Sequence, residues 1–264
     1  MIKYPHINPN ILSYKGIHLR WYGLAYALGF IVGYVYLSRR LKRFNIKGLI
    51  DDVVLYAVFG VILGGRIGYV LIYNFSYYYH HPLQALYIWD GGMSFHGGLV
   101  GTIIAGILLA RKYRLSFYDL ADEAVVIAPV GLFFGRIANF INDELWGRVT
   151  DVPWAVAFPA GGYLPRHPSQ LYEAFFEGLV LFFILWRLRD KLLPYKGMLF
   201  WLFVFLYGFF RFFIEFTRQP DPQIGFILGL TMGQWLCLIM IVVSGLELFI
   251  IWSKYGHPKK KRAN

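Results

Sequence analysis

Three arginines sit inside apolar runs of this sequence, where a cation is expensive to keep. Arg66, Arg136 and Arg211 each fall within a stretch otherwise dominated by aliphatic and aromatic residues. An arginine at the centre of a bilayer costs at least ~2.5 to 3.5 kcal/mol on insertion scales. Each therefore needs partners, water or a purpose. Arg136 heads a dense polar edge, Gly135-Arg136-Ile137-Ala138-Asn139-Phe140-Ile141-Asn142-Asp143-Glu144-Leu145-Trp146-Gly147-Arg148, in which Arg136 and Asn139 share a helix face. Arg211 precedes Glu215 by four residues, a spacing that also fits a structural ion pair on one face. Arg66 follows Gly64-Gly65, where helix packing or snorkelling competes with a functional reading.

His96 is the neutral counterpart. It lies in Asp90-Gly91-Gly92-Met93-Ser94-Phe95-His96-Gly97-Gly98-Leu99-Val100-Gly101, where glycines strip bulk from both flanks and let a backbone or a substrate come close. An imidazole of ordinary pKa near 6.5 suits a general base. Tyr22 opens the first apolar run. Counted at ~1.5 Å per residue, the three arginines lie roughly 7 to 10 Å below one boundary of their spans, with His96 and Tyr22 at the same end. Such a layer suits a water-accessible pocket for an anion, and phospholipid headgroups are the nearest anions.

The elements that must position these groups are membrane spans. The 264 residues are 58% hydrophobic and the mean hydropathy is +0.50, above the roughly 45 to 50% apolar content of soluble domains. Apolar windows predict an all-α, polytopic membrane helix bundle of about seven transmembrane helices: 21–38, 53–73, 93–110, 120–141, 169–188, 197–216 and 231–253. Glycines and His96 interrupt the third, and Pro129 the fourth.

Basic residues orient the spans. One side receives Arg39, Arg40, Lys42, Arg43, Lys47, then Arg111, Lys112, Arg114, then Arg187, Arg189, Lys191, Lys196, then Lys254, Lys259, Lys260, Lys261 and Arg262. The opposite side has Lys3, Lys15, Arg20, Arg148, Arg166 and Arg218. The positive-inside rule then expects the N-terminus outside and the C-terminus in the cytoplasm. The basic residues flank apolar spans, so the net charge of +11 points to anionic lipid and topology rather than to nucleic acid.

The start of the chain lacks the pattern of a removable signal peptide. No second domain or internal repeat is expected; the longest extramembrane stretch, 142–168, is placed outside as a loop over a site. The single cysteine, Cys237, excludes an internal disulfide or a CxxC site. His80-His81 has no further ligands beside it, so no metal is expected. No phosphate-binding P-loop is present. Gly60, Gly64 and Gly68, and the pair Gly29 and Gly33, have the spacing of close helix packing.

Taken together, Trp21-Tyr22-Gly23, Gly64-Gly65-Arg66-Ile67-Gly68-Tyr69, the runs 90–101 and 135–148, Arg166-His167-Pro168-Ser169-Gln170-Leu171-Tyr172-Glu173, Tyr207-Gly208-Phe209-Phe210-Arg211 and Arg218-Gln219-Pro220-Asp221 resemble the prolipoprotein diacylglyceryl transferase family. The likeness runs in order along nearly the whole chain. It implies a bacterial inner-membrane enzyme, active on the extracytoplasmic side, that moves the diacylglyceryl group of phosphatidylglycerol to the lipobox cysteine thiol of a preprolipoprotein signal peptide. A thioether forms and glycerol phosphate leaves; no cofactor is implied.

The same resemblance places the family's functional positions on Tyr22, His96, Arg136, Asn139, Glu144, Gly147 and Arg211, with Tyr207, Arg218, Glu215 and Arg66 as substrate-binding supports. Ala138, where the family often has glycine, and Asp143 are mild departures. In this reading the thiol belongs to the substrate and Cys237 is packing. His96 would take the thiol proton, unless an arginine depresses the thiol pKa enough to leave it a positioning residue. Arg136 and Arg211 would offer forked donors to the departing phosphate. An anion transporter or a non-catalytic scaffold remains an alternative on the residues alone, although arginines confined to one side favour an interfacial enzyme.

Overall fold

The apolar runs fold as helices. The computed structural model describes residues 2–5, 7–14, 17–219 and 225–255; Pro220-Asp221 and the basic residues Lys15, Lys259, Lys260, Lys261 and Arg262 lie outside them. Among the described residues, six helical runs are long and apolar enough to cross a membrane: Trp21–Phe44, Leu49–Tyr73, Phe95–Lys112, Phe117–Ile141, Met198–Thr217 and Met232–Tyr255. Their cores are helices α1 (Trp21–Arg40), α2 (Leu49–Gly68), α4 (Phe95–Lys112), α5 (Phe117–Ile141), α8 (Met198–Ile214) and α9 (Met232–Tyr255). The protein is an all-α, multi-pass membrane protein whose strands are short and confined to connections.

The run expected at 169–188 is helical too, but it is wound in three pieces: α6 (Ser169–Glu173), a π-helical stretch (Ala174–Val180) and α7 (Leu181–Leu192). It is not among the six runs above, and it carries two acids, Glu173 and Glu177, one turn apart. π-helical turns are rare and gather at functional sites.

The chain divides into two compact units, 36–121, and 1–35 together with 122–264. In the first, α2 and α4 meet along a glycine seam. A methyl group at Gly60 would lie 2.8 Å from the Gly101 carbonyl oxygen, and one at Gly64 or Gly101 would strike the facing carbonyl of Gly97 or Gly60. The backbones therefore approach as closely as the small-residue spacing predicts. Ser94 caps α4 by accepting the Gly97 N–H at 3.1 Å. Between α2 and α4 run α3 (Phe75–His80) and 3-10 turns at Pro82–Leu86 and Ile88–Asp90. Tyr79 and Trp89 in this connection are exposed, consistent with an interfacial aromatic belt. Leu41, Leu49, Leu109, Ala110 and Leu120 form the buried core at the opposite end, beside an Asp52–Lys112 ion pair.

In the second unit, the loop expected at 142–168 carries β4 (Val156–Ala157) and β5 (Pro165–Arg166), which join β1 (Ile2–Lys3) in the order β1-β4-β5. Ile2 lies opposite Val156, parallel, and Val156 opposite Arg166, antiparallel. Tyr4, Val156 and Phe158 make a small core against Phe140 and Trp146. The Tyr4 hydroxyl donates to the carbonyls of Phe140 and Ile141 at the end of α5, at 2.9 and 2.7 Å. Hairpins β2–β3 (Asn10–Tyr14, Ile17–Arg20) and β6–β7 (Phe226–Ile227, Leu230–Thr231) precede α1 and α9.

Helix starts in this unit are fixed by side chains. Asp122 accepts the N–H groups of Gly197 at 2.7 Å and Phe200 at 2.8 Å, capping α8. Thr231 and Gln234 cap α9 reciprocally: the Gln234 N–H reaches the Thr231 hydroxyl at 3.1 Å and the Thr231 N–H reaches Gln234 Oε1 at 2.9 Å. Gly29 faces Gly131 of α5 as its spacing predicts, with a methyl on Gly29 lying 3.5 Å from the Gly131 Cα. Gly33 has nothing within 4 Å, so the pairing expected for it is not a packing contact.

Candidate functional site

The convergence in the larger unit is on Glu173. This carboxylate ends α6 with 1% of its side chain exposed. Arg136 Nε approaches Glu173 Oε2 at 2.6 Å. Arg211 Nη1 and Arg218 Nη1 approach Oε1 at 3.0 and 2.6 Å. Three cations from α5, α8 and the segment after α8 thus share one buried anion.

Local packing explains the placement. Gly178 lets the π-helical stretch press against α5, since a methyl there would come within 2.7 Å of Phe133 Cβ, and Phe133 precedes Arg136 by three residues. Gln170 Nε2 donates to the Glu144 carbonyl at 2.5 Å and the Ser169 hydroxyl to the Leu145 carbonyl at 3.0 Å. These bonds tie the start of α6 to the chain leaving α5.

Two further carboxylates complete the cluster. Glu215 Oε2 stands 3.3 Å from Arg211 Nη2 and 3.5 Å from Arg218 Nε, and its Oε1 accepts the Thr231 hydroxyl at 3.2 Å. The expected Arg211–Glu215 ion pair is therefore present, as one edge of a larger network. Glu177, fully buried, lies 3.6 Å from Arg211. The arginine side chains keep 16 to 20% of their surface accessible, so each presents an outer edge that Glu173 does not cover.

The polar edge expected after Arg136 is organised as well. Arg136 Nη1 donates to Asn139 Oδ1 at 3.4 Å. The amides of Asn139 and Asn142 donate to Glu144 Oε1 at 2.7 and 3.3 Å. Tyr22 lies in the field of Glu144 and Arg136, its hydroxyl 3.3 Å from that of Tyr26. Tyr207 on α8 lies in the field of Glu177, Arg211, Arg136 and Glu173.

Gly147 explains why Arg218 reaches the cluster. Its N–H donates to the His167 carbonyl at 2.9 Å, it bridges antiparallel to Arg218, and a methyl there would collide with the Thr217 carbonyl. Arg148 extends the pairing, donating its N–H to Thr217 at 2.8 Å and its Nε to the Arg218 carbonyl at 2.6 Å. His167 is half-buried beside it; burial, then the charge of Arg148, hold its pKa below the usual imidazole value.

Arg66 and His96 belong to the other unit. Arg66 is 6% exposed and spends its guanidinium on the connection before α4. Nη2 donates to Gln84 O at 2.7 Å, Nε to Ala85 O at 2.7 Å, and Nη1 to Gly91 O and Gly92 O at 2.5 and 3.1 Å. All three nitrogens are engaged, which fits a fastener of the connection better than a contact to substrate. His96 is exposed in the first turn of α4, edge-on to Phe95. Ser94, two residues earlier, donates its N–H to Gly65 O at 2.9 Å. Cys237 is buried, as packing requires.

Glu173 and Glu177 are the residues that reading the sequence missed as site members. A signal existed: two acids four apart, Glu173 and Glu177, inside an otherwise apolar run. No group of three or more His, Cys, Asp or Glu side chains suited to a metal occurs among the described residues.

Comparisons with known proteins agree with the motifs. A sequence model of the family described as "Prolipoprotein diacylglyceryl transferase" matches residues 9–251. A protein of Francisella tularensis subsp. tularensis strain SCHU S4, called phosphatidylglycerol--prolipoprotein diacylglyceryl transferase, is 48% identical over 270 residues, covering 99% of each chain. A protein of that name from Francisella tularensis subsp. novicida is 49% identical over 263 residues, 96% of this chain and 97% of that one. Another from Geobacter sulfurreducens is 49% identical over 260 residues, 96% of this chain and 98% of that one.

Proposed function

This chain belongs to the prolipoprotein diacylglyceryl transferase family, and from that premise we propose that it transfers the diacylglyceryl group of phosphatidylglycerol to the lipobox cysteine thiol of preprolipoproteins, as the first step of lipoprotein maturation. The observation that carries the reading is the set of three arginines held on Glu173 with their outer edges accessible. A phosphodiester is the anion that fits such edges, since guanidinium forks pair with phosphate oxygens.

The reaction breaks the bond between the diacylglyceryl C3 carbon and its phosphate oxygen. The cysteine sulfur forms the new bond to that carbon, and the electron pair of the broken bond stays with the oxygen of glycerol phosphate. Charge thus grows on the leaving group, where Arg136, Arg211 and Arg218 oppose it in a site poor in water. Glu173 holds the three cations together before substrate arrives, so little reorganisation is needed in the transition state. Asn139 and Glu144, linked at 2.7 Å, and Tyr22 and Tyr207 orient headgroup or peptide by hydrogen bonds. The resemblance assigns removal of the thiol proton to His96, whose imidazole suits a general base, and Arg66 fixes the connection from which α4 starts.

On this reading the protein resides in the bacterial inner membrane, as the family implies, with its site toward the extracytoplasmic side, the orientation that the distribution of Lys and Arg favours. The test uses purified protein, phosphatidylglycerol vesicles and a lipobox peptide, with a Cys→Ser peptide as control. A mass gain of one diacylglyceryl group on the cysteine peptide alone, with equal release of glycerol phosphate, is the expected outcome. No mass gain in folded protein would contradict the proposal.

A further inference from the structure

Glu177 has no task in the transfer described above, yet it stands in the middle of the cluster. It is 0% exposed, and neither of its carboxyl oxygens has a hydrogen-bond donor among the described residues. The nearest cationic nitrogen, Arg211 Nη1, is 3.6 Å away and makes no hydrogen bond to it; it lies closer to Glu173, at 3.0 Å, while Nη2 stands 3.3 Å from Glu215. Glu173, one turn earlier on the same helical run, differs sharply: three guanidinium groups lie within 3.0 Å of it. An ionised carboxylate removed from water and left without donors is strongly disfavoured, so the two acids cannot be treated alike.

The surrounding groups set the charge count. Arg211 and Tyr207 face Glu177 from α8, Arg136 from α5, Arg218 from beyond α8, Glu173 from its own run and Cys237 from α9, with Glu215 beyond Arg211. Tyrosine and cysteine are ordinarily neutral at neutral pH. Three arginines therefore stand against Glu173, Glu215 and Glu177.

We infer that Glu177 is protonated in the resting protein, which leaves the cluster with one net positive charge, the complement of a single phosphodiester monoanion. The second half of this statement rests on the headgroup reading above; the first half does not. With Glu177 ionised the cluster is neutral, and the net charge that would attract an anion to the arginines is gone. The π-helical stretch, which contains Glu177, buries that acid in the cluster without supplying a donor for it.

Infrared difference spectroscopy on the full-length protein in phosphatidylcholine nanodiscs tests the protonation directly. At neutral pH the wild-type protein shows the C=O stretch of a buried carboxylic acid that disappears in Glu177→Gln and is displaced in Glu177→Asp. Phosphatidylglycerol affinity of the wild type then falls by about tenfold or more as the band is titrated away at rising pH, the effect of one added like charge at close range, while that of Glu177→Gln stays flat over the same range. Absence of the acid band in wild type, or an unchanged pH decline in Glu177→Gln, overturns the inference. A band that behaves as expected in a protein that binds phosphatidylglycerol at no pH would instead overturn the headgroup reading.

Discussion

Replacing Glu173 by glutamine keeps the side-chain volume and removes the charge that three arginines share. Glu173 is 1% exposed and lies 2.6, 3.0 and 2.6 Å from Arg136, Arg211 and Arg218. Removing one partner of a buried ion pair costs about 3 to 5 kcal/mol, because the other charge is left without compensation. Here the guanidinium groups retain 16 to 20% of their surface and Glu215 still faces two of them. Both facts favour the lower end, about 3 kcal/mol. At about 2 to 4 °C per kcal/mol for a chain of this size, the apparent Tm should fall by about 6 to 12 °C. Scan-rate-matched fluorimetry in one detergent measures it. Because Glu173 and Arg218 are in contact, the double variant Glu173→Gln/Arg218→Gln should lose less than the sum of the single losses, by at least about 1 kcal/mol. A Glu173→Gln protein as stable as wild type, or strictly additive losses, would refute the view that this carboxylate holds the arginines together.

Three further outcomes follow from the connections. A Gly147→Ala methyl meets the Thr217 carbonyl and comes 2.8 Å from His167 Cβ, so it should cost about 1 to 3 kcal/mol of overpacking, displace Arg218 and lower kcat/KM for transfer by at least about tenfold; unchanged kinetics would contradict this placement of Arg218. Arg66→Lys cannot serve the carbonyls of Gln84, Ala85, Gly91 and Gly92 from one ammonium, and each lost bond to a buried carbonyl costs about 1 to 3 kcal/mol; limited proteolysis should cut within 82–92 faster than in wild type. For His167, burial and Arg148 lower the folded pKa below the unfolded value of about 6.5, so the unfolded state binds the proton first as pH falls. The stabilising contribution is complete above about 6.5 and is lost as pH drops through the folded pKa. Apparent Tm measured from neutral to acidic pH should therefore decline less steeply in His167→Gln, and parallel curves would sink the assignment.

Most of the helix positions were legible because spans are written in composition: the expected runs agree with the helices to within a few residues at most ends. Arg136 with Asn139 was legible for the same kind of reason, since a spacing of three on one helix is a local fact. Partners across helices were not. Arg136, Arg211 and Arg218 meet Glu173 from positions 37 to 45 residues away in the chain, and no local period encodes that distance. The distribution of lysines and arginines carries no information on Glu173 and Glu177, the two acids in the run 169–188, and the π-helical winding of that run has no local signature in the sequence. Arg66 looked like its fellow intramembrane arginines in sequence. Only the fold of the connection before α4 shows its guanidinium filled by four backbone carbonyls. The short strands in 142–168 escaped notice because two-residue pairings carry no alternating pattern long enough to read.

Binding of phosphatidylglycerol against phosphatidylcholine, measured without turnover by titrating nanodisc-embedded protein, tests the central claim that the arginines held by Glu173 receive the lipid phosphate. The account predicts that wild type prefers phosphatidylglycerol and that Arg136→Ala and Arg211→Ala each weaken it by at least about tenfold, with the protein still folded. A preference for phosphatidylglycerol that survives both substitutions would contradict it.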